Sequence, residues 1–448
     1  MKKLFGTDGI RGIAITELSC SLAYKIGAAT ALLLNKKGVG SPTVLIGCDS
    51  RASSPILAAS IISGLCSYSA DAQYLGTVST PCASYLTLKH SASAAIMISA
   101  SHNPAEYNGI KIFDSNGIKL HDELEEEIEN MLPSMPSPTD LFRLGKASHR
   151  AGSIDEYISY LKSTISGTLK GLKLAIDCAN GSASVSASRL FSELGAEITI
   201  LSDSPNGYNI NQNCGSTNIE ALRKTVLEHG LDAGIAFDGD ADRCIMVDEN
   251  GGTVDGDAIM AICALDMKES GKLRNNTLVA TIMSNFGLTK FCEEKDISLV
   301  LTSVGDRYVS ERMREQGYLL GGEQSGHIIF GEHSVTGDGQ LTALKVLEIL
   351  CKKNLSLSSA ASVMKVYPQS LVNIKANDTQ KALFRSNAEI TEKIRTLSNT
   401  LSGNGRILVR PSGTEPLIRI MAEASDTDTV NRITSELAEF ISNKIEHE

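Results

Sequence analysis

Short apolar runs alternate with longer amphipathic stretches along most of this chain. Thr43–Cys48, Gln73–Thr77 and Ala94–Ile98 read as buried strands bounded by turn residues. Between them, Leu18, Leu22, Ile26, Ala29 and Leu33 recur at helical spacing, so a helix packed on one face is expected over Leu18–Leu34. Further helices are expected from Pro55 and over Cys82–Lys89. A strand over Asn108–Phe113 and an acidic helix over His121–Leu132 follow. Pro133, Pro136 and Pro138 among serines then mark a linker. The plan recurs with expected strands over Leu172–Asp177, Glu197–Leu201 and Ala233–Phe237 and helices over Ser182–Leu194 and Ile219–His229. It recurs again with helices over Asp257–Lys268, Gly287–Glu294 and Arg307–Gln316 and strands over Leu278–Met283 and Ser298–Thr302. Such alternation predicts mixed, largely parallel sheets covered by helices. The runs opening at Thr43, Leu172 and Thr277 are loosely alike, which suggests three related α/β units. Beyond a helix over Gly339–Lys353 the expected strands, Ser370–Lys375, Arg406–Val409 and Ile418–Ala422, are fewer and differently separated. With helices over Ala388–Leu401 and Thr429–Ile445 they predict a smaller α+β unit. The expected domains are residues 1–150, 151–253, 254–366 and 367–448.

Composition narrows the functional classes. A chain of 448 residues is long enough to bury several cores. Its net charge of −10 argues against a nucleic-acid partner, and an anionic substrate would need local Arg or Lys clusters. The ten cysteines include no Cys-x-x-Cys pair. They fit a reducing, cytoplasmic setting, and neither a disulfide framework nor a zinc site. Met1-Lys2-Lys3 runs to Gly6-Thr7-Asp8 without the apolar centre of a signal peptide, and Lys25 interrupts the stretch Leu18–Leu34, so no membrane segment is expected.

Five stretches carry candidate chemistry. In Ile98-Ser99-Ala100-Ser101-His102-Asn103-Pro104 an expected strand ends and Asn-Pro breaks the chain, placing Ser101 on the loop at a strand's carboxyl end. A serine beside a histidine there is a candidate nucleophile able to carry a covalent group. Asp238-Gly239-Asp240-Ala241-Asp242-Arg243 sets three carboxylates at alternate positions, which repel one another unless a cation neutralises them. Hard oxygen ligands favour Mg²⁺ or Ca²⁺. An EF-hand loop also matches Asp238, Asp240, Asp242 and Glu249, but Arg243 replaces its glycine and the preceding run reads as a strand. Gly321-Gly322-Glu323-Gln324-Ser325-Gly326-His327 offers groups suited to sugar hydroxyls, with His327 able to exchange a proton. Arg410-Pro411-Ser412-Gly413-Thr414-Glu415-Pro416 is a candidate phosphate nest. Phe5–Gly12 reads as a glycine-rich turn from which Arg11 could fork onto a phosphate. Neither a Walker loop nor a dinucleotide fingerprint is present.

These five motifs, in this order and spread over the whole length, resemble the α-D-phosphohexomutase superfamily. The wording of Ser99–Pro104, Asp238–Arg243, Gly322–His327 and Val304–Val309 is similar to its amino-sugar branch. The resemblance implies three related α/β/α domains and a small C-terminal α+β domain around a central cleft. It implies a phosphoserine at Ser101, and one Mg²⁺ per chain held by Asp238, Asp240, Asp242 and that phosphate. It places a phosphate grip on Arg410, Ser412, Gly413 and Thr414, and a sugar grip on Glu323 and Ser325 with Gly305 and Asp306. His102 stands beside the nucleophile, Lys111 and His327 are expected to move protons, and Arg11, Arg51 and Arg243 to stabilise charge. The implied reaction interconverts glucosamine 6-phosphate and glucosamine 1-phosphate, feeding UDP-N-acetylglucosamine synthesis, with a sugar 1,6-bisphosphate as intermediate and activator. Hexosamine phosphates are the expected partners, with no nucleic acid or membrane. A homodimer stays open.

Overall fold

The computed structural model describes residues 4–6, 8–36, 38, 41–138, 143–401, 403–412 and 416–446. They form two compact units, one reaching to Met283 and including Ile297–Val363, the other made of Ser284–Asp296 and the chain from Met364. Among the described residues no helix is long and apolar enough to cross a membrane.

The first unit holds three sheets. The largest runs in the order Phe5–Gly6, Gly9–Ile13, Tyr107–Asp114, Ala94–Ile98, Thr43–Cys48, Asp71–Thr77, Ala147–His149. Its first three joints are antiparallel and its last three parallel. The second sheet runs Thr253–Val254, Cys244–Asp248, Ala233–Phe237, Lys173–Asp177, Glu197–Leu201. The third runs Ser298–Thr302, Thr277–Thr281, Leu320–Gly322, Ile328–Phe330. Each sheet therefore combines parallel joints with an antiparallel arm. The three look-alike runs, near Thr43, Leu172 and Thr277, form buried strands with parallel neighbours on both sides. Covered on both faces, such strands need continuous apolar sequence, which is why the runs look alike. Helices Cys20–Lys36 and Ser54–Ser67 cover the first sheet and cross closely. A Cβ on Gly27 would sit 2.3 Å from the Ile61 carbonyl, and one on Gly64 2.1 Å from that of Tyr24. Only glycine allows that approach.

Three expectations change. Phe5–Gly12 is not a free turn: Gly9–Ile13 is a strand paired to Tyr107–Asp114, so Arg11 is carried on a sheet. The single helix expected over Ser182–Leu194 breaks into a short 3-10 turn, Ser182–Val185, and the helix Ala187–Glu193. Ser184 Oγ donates to the Gly181 carbonyl at 2.6 Å, and Ser186 Oγ to the Ala183 carbonyl at 3.5 Å. Serine hydroxyls bonding locally compete with helical pairing. The strand placed over Leu278–Met283 covers Thr277–Thr281.

Helix Gly339–Lys353 starts at Asp338, which accepts the Leu341 N–H at 3.0 Å and the Tyr157 hydroxyl at 2.7 Å. Burial raises this carboxyl to about 6 in spite of those bonds. Between pH 4 and 6 the folded chain thus binds the Asp338 proton more readily than the unfolded chain. The contribution of Asp338 to stability therefore falls as pH rises through that window and is level above it. Asp338→Asn keeps a capping oxygen without the charge. From pH 4 to pH 7, unfolding by urea is expected to shift in the variant's favour by up to about 3 kcal/mol relative to wild type. A pH-independent difference would refute this account.

The second unit is an antiparallel sheet, Gln369–Lys375, Leu417–Ala424, Gly405–Pro411, backed by helices Asp378–Ser386, Ala388–Thr400 and Thr427–Glu446. Helix Phe286–Glu294 groups with it, its Asn285 cap donating to the Tyr367 carbonyl and to Glu423.

Candidate functional site

Three strands of the first unit end at the same place. Ala94–Ile98, Thr43–Cys48 and Ala233–Phe237 are buried, and their carboxyl ends carry Ser101, Asp49–Arg51 and the Asp238–Asp242 loop. Ser101 and Asp238 are 137 positions apart, yet the Ser101 hydroxyl donates to Asp238 Oδ2 at 2.5 Å. Ser101 is 1% exposed and lies at φ +52°, a left-handed conformation costly for a residue other than glycine.

Arg51, expected to stabilise charge, faces the main chain of the Ser101 loop. Its guanidinium is buried and turned to backbone, donating to the carbonyls of Ser101 at 3.0 Å, Asn103 at 2.8 Å and Pro104. Asp49 receives its Nε–H at 2.8 Å. Arg51 holds the loop's shape.

One carboxylate oxygen each from Asp238, Asp240 and Asp242 lies within 4.8 Å of the others. Asp240 Oδ2 accepts the Thr80 hydroxyl at 2.6 Å and the Lys111 ammonium at 2.9 Å. Asp240 Oδ1 and Asp242 Oδ1 are buried without a hydrogen-bond partner among the described residues. Burial and the like charges of Asp242 and Asp240 push the Asp238 carboxyl well up, and burial with Asp240 pushes Asp242 up. Burial would raise Asp240 too, but Lys111 and Thr80 bring it down to about 2. Crowded, oxygen-only and short of partners, this donor set fits a hard divalent cation. An EF-hand is excluded: the loop joins two antiparallel strands, and Glu249 receives the Ser358 hydroxyl and N–H.

Cations surround the carboxylates. Lys111, 1% exposed, pairs with Asp240 at 2.9 Å, Asp8 at 3.1 Å and Asp242 at 3.6 Å. Burial alone would lower its pKa, but Asp240, Asp8 and Asp242 more than offset that and raise it, keeping it an ammonium. Asp8 also pairs with Arg11 and with Lys119 at 2.5 Å. Arg11 Nε and Arg243 Nε are buried without hydrogen-bond partners among the described residues. Arg243 Nη1 donates to His102 Nδ1 at 3.2 Å, and that nitrogen is 3.5 Å from Ser101 Oγ. Burial, then Arg243 and Arg11, lower His102 to about 4, so its ring is neutral near pH 7.

His327 Nε2 accepts the Gly337 N–H at 3.1 Å, which assigns the ring proton to Nδ1, a buried donor without a partner among the described residues. Glu323 accepts the Gly305 N–H at 3.0 Å, and Ser325 is exposed. Asp306 accepts from Lys119 at 2.8 Å. In the second unit Arg410 lies on strand Gly405–Pro411, and the Ser412 N–H donates to the Leu417 carbonyl at 2.8 Å. Gly413 and Thr414 lie outside the described residues. Sequence reading missed Asp8, Thr80, Lys119 and Asn211. Asp8 sits in a motif it did examine, but the others carry no local signal.

The chain matches the phosphoglucomutase/phosphomannomutase family in four parts: alpha/beta/alpha domain I at residues 2–137, domain II at 155–252, domain III at 255–367 and the C-terminal domain at 371–440. It is 48% identical to the phosphoglucosamine mutase of Acetivibrio thermocellus, over 99% of this chain and 100% of that protein. It is also 48% identical to that of Clostridium novyi, over 99% of each. Among solved structures, a phosphoglucomutase/phosphomannomutase family protein from Burkholderia thailandensis superposes with a TM-score of 0.84 at 23% identity, covering 100% of this chain and 98% of that one. The N-acetylphosphoglucosamine mutase of Aspergillus fumigatus, in complex with GlcNAc-6P and magnesium, superposes with a TM-score of 0.70 at 20% identity, covering 98% and 96%.

Proposed function

This chain belongs to the phosphoglucomutase/phosphomannomutase family and is an isomerase that transfers a phosphoryl group within a sugar phosphate, and we propose that it interconverts glucosamine 6-phosphate and glucosamine 1-phosphate. The observation that carries this reading is the Ser101 hydroxyl held 2.5 Å from Asp238 at the edge of a buried carboxylate triad. The identity to phosphoglucosamine mutases along the whole chain supports the choice of sugar.

In the proposed cycle Ser101 carries a phosphoryl group. The free hydroxyl of the sugar phosphate attacks that phosphorus. The new sugar O–P bond forms as the Ser101 Oγ–P bond breaks, and in net the hydroxyl's proton passes to the departing Ser101 oxygen, giving a 1,6-bisphosphate. After the bisphosphate turns over, Ser101 Oγ attacks the other phosphoryl group and releases the isomer. Asp238, Asp240 and Asp242 would hold a divalent cation such as Mg²⁺, which would supply positive charge to the departing Ser101 oxygen. Arg11 and Arg243, each with a buried Nε–H lacking a hydrogen-bond partner among the described residues, bind the reacting phosphoryl oxygens. Lys111, held as an ammonium, supplies charge and a proton to the serine oxygen instead of removing one. His102 stays neutral, and His327 offers its Nδ1–H to a substrate oxygen. Glu323, Ser325, Gly305 and Asp306 are assigned to the sugar, and Arg410 and Ser412, with Gly413 and Thr414, to the distant phosphate.

Initial rates in both directions with glucosamine, glucose and mannose phosphates, plus trace 1,6-bisphosphate, test the proposal. The glucosamine phosphates should give the highest kcat/KM. A glucose or mannose phosphate giving a higher value would overturn the choice of sugar. Release of inorganic phosphate in place of the isomer would overturn the mutase cycle.

A further inference from the structure

The carbonyls of Ser101 and Asn103 each receive two donors. One is Arg51 Nη2, at 3.0 and 2.8 Å. The other is Asn211 Nδ2, at 2.9 Å to both. Asn211 comes from a different layer of the unit. Its loop lies between strand Glu197–Leu201 and helix Glu220–His229, in the part of the chain that also carries the Asp238–Asp242 loop. Loops of the second sheet meet the loop after strand Thr43–Cys48 twice more: the Ala52 N–H donates to the Gly207 carbonyl at 2.9 Å, and the Ser50 hydroxyl to the Asn180 carbonyl at 2.5 Å. Gly239 closes the other side, since a Cβ there would lie 2.5 Å from the Ser101 carbonyl and 3.1 Å from Asn211 Nδ2.

We propose that Asn211 is a positioning residue that sets the register between Ser101 and the Asp238–Asp242 carboxylates, an inference that rests on reading Ser101 as the phosphoryl carrier. The reacting oxygen and the carboxylates lie on different sheets, so their separation depends on how those sheets dock. Asn211 joins the two within the Ser101 turn itself. Ser101 at φ +52° stores strain that persists only when its surroundings over-determine it, and four hydrogen bonds to two carbonyls do so. Asn211 is itself at φ +59°, a conformation that asparagine and aspartate adopt most readily among non-glycine residues, and its own N–H donates to the Ala179 carbonyl at 2.9 Å. Its backbone is thus held independently of its side chain.

That separation makes a clean test possible. Asn211→Asp keeps size and backbone conformation but faces two carbonyls with an oxygen. Asn211→Gly keeps the conformation and removes the donor without adding repulsion. Both are compared with wild type by steady-state kinetics, thermal melting and intact-mass measurement of Ser101 phosphorylation by glucose 1,6-bisphosphate. A misplacement on the order of 1 Å costs roughly 100-fold in rate. Both variants are therefore expected to lose roughly 10- to 100-fold in kcat and in the phosphorylation rate, with KM for the sugar phosphate nearly unchanged. A purely structural role would instead lower the melting temperature and leave kcat intact well below it. Wild-type phosphorylation kinetics with unchanged kcat in the folded variants would overturn the proposal. If Asn211→Asp fails to fold, Asn211→Gly alone decides. If wild type itself takes no phosphoryl group on Ser101, the reading of Ser101 fails, and that outcome is distinct from a failure of Asn211.

Discussion

Ser101→Ala is expected to abolish sugar-phosphate isomerisation while leaving the fold intact. The loss should be of the size that follows removal of a catalytic nucleophile, about 10⁴- to 10⁶-fold. The hydroxyl makes one short bond, to Asp238, and its removal leaves that carboxyl beside Asp240 and Asp242 with the Arg243 N–H still donating to Oδ1 at 3.2 Å. Little stability is at stake, because the loop is held by Arg51 and Asn211 through main-chain carbonyls. The covalent carrier, by contrast, is gone. Thr80 also presents a hydroxyl to the triad, 2.6 Å from Asp240, so it is the natural competitor for the phosphoryl group. Intact-mass spectrometry separates the two: one phosphoryl group should be present on wild type and on Thr80→Val and absent from Ser101→Ala. Isomerase activity persisting in Ser101→Ala would end the covalent mechanism.

Asp240→Asn is expected to weaken binding of a divalent cation and to lower kcat by about 10²- to 10³-fold, several kcal/mol of charge stabilisation at the transferring phosphoryl group. The substitution keeps shape and an oxygen for Thr80 but removes one of three charges. It does not strand the buried Lys111, which retains Asp8 at 3.1 Å and Asp242 at 3.6 Å. The melting temperature should therefore move little. Calorimetric titration with Mg²⁺ is the direct readout, with activity at limiting Mg²⁺ as the second. Unchanged affinity and unchanged activity would place the cation elsewhere.

Much of this site was legible along the chain because its parts are local. Alternate aspartates on one loop repel one another wherever they are placed, so Asp238-Gly239-Asp240-Ala241-Asp242 announces a cation whatever surrounds it. The five-residue apolar run Ala94–Ile98 could only be a buried strand, and Asn103-Pro104 had to end it, which put Ser101 on a loop. The doubly covered strands near Thr43, Leu172 and Thr277 look alike for the same local reason.

What periodicity did not reveal are elements whose local preference is weak or divided. Helix Asp378–Ser386 is polar on most of its surface and is started by a reciprocal cap between Asn377 and Gln380. The run Ser182–Leu194 has helical spacing, yet its serines bond locally and split it.

Residue chemistry alone therefore determined the strand and helix alternation, the place of Ser101 at a strand end and the crowding of three carboxylates on one loop. Tertiary structure alone decided which distant groups share that space. It set Arg51 on the loop's carbonyls, gave Lys111 to Asp240, and brought Asn211 and Thr80 to a site with which they share no sequence pattern. The physical reason is that hydrogen bonds and ion pairs act over about 3 Å in space. Sequence records such proximity only where the partners are neighbours along the chain, and here they are separated by 50 to 160 positions, as with Arg51 and Ser101 or Thr80 and Asp240.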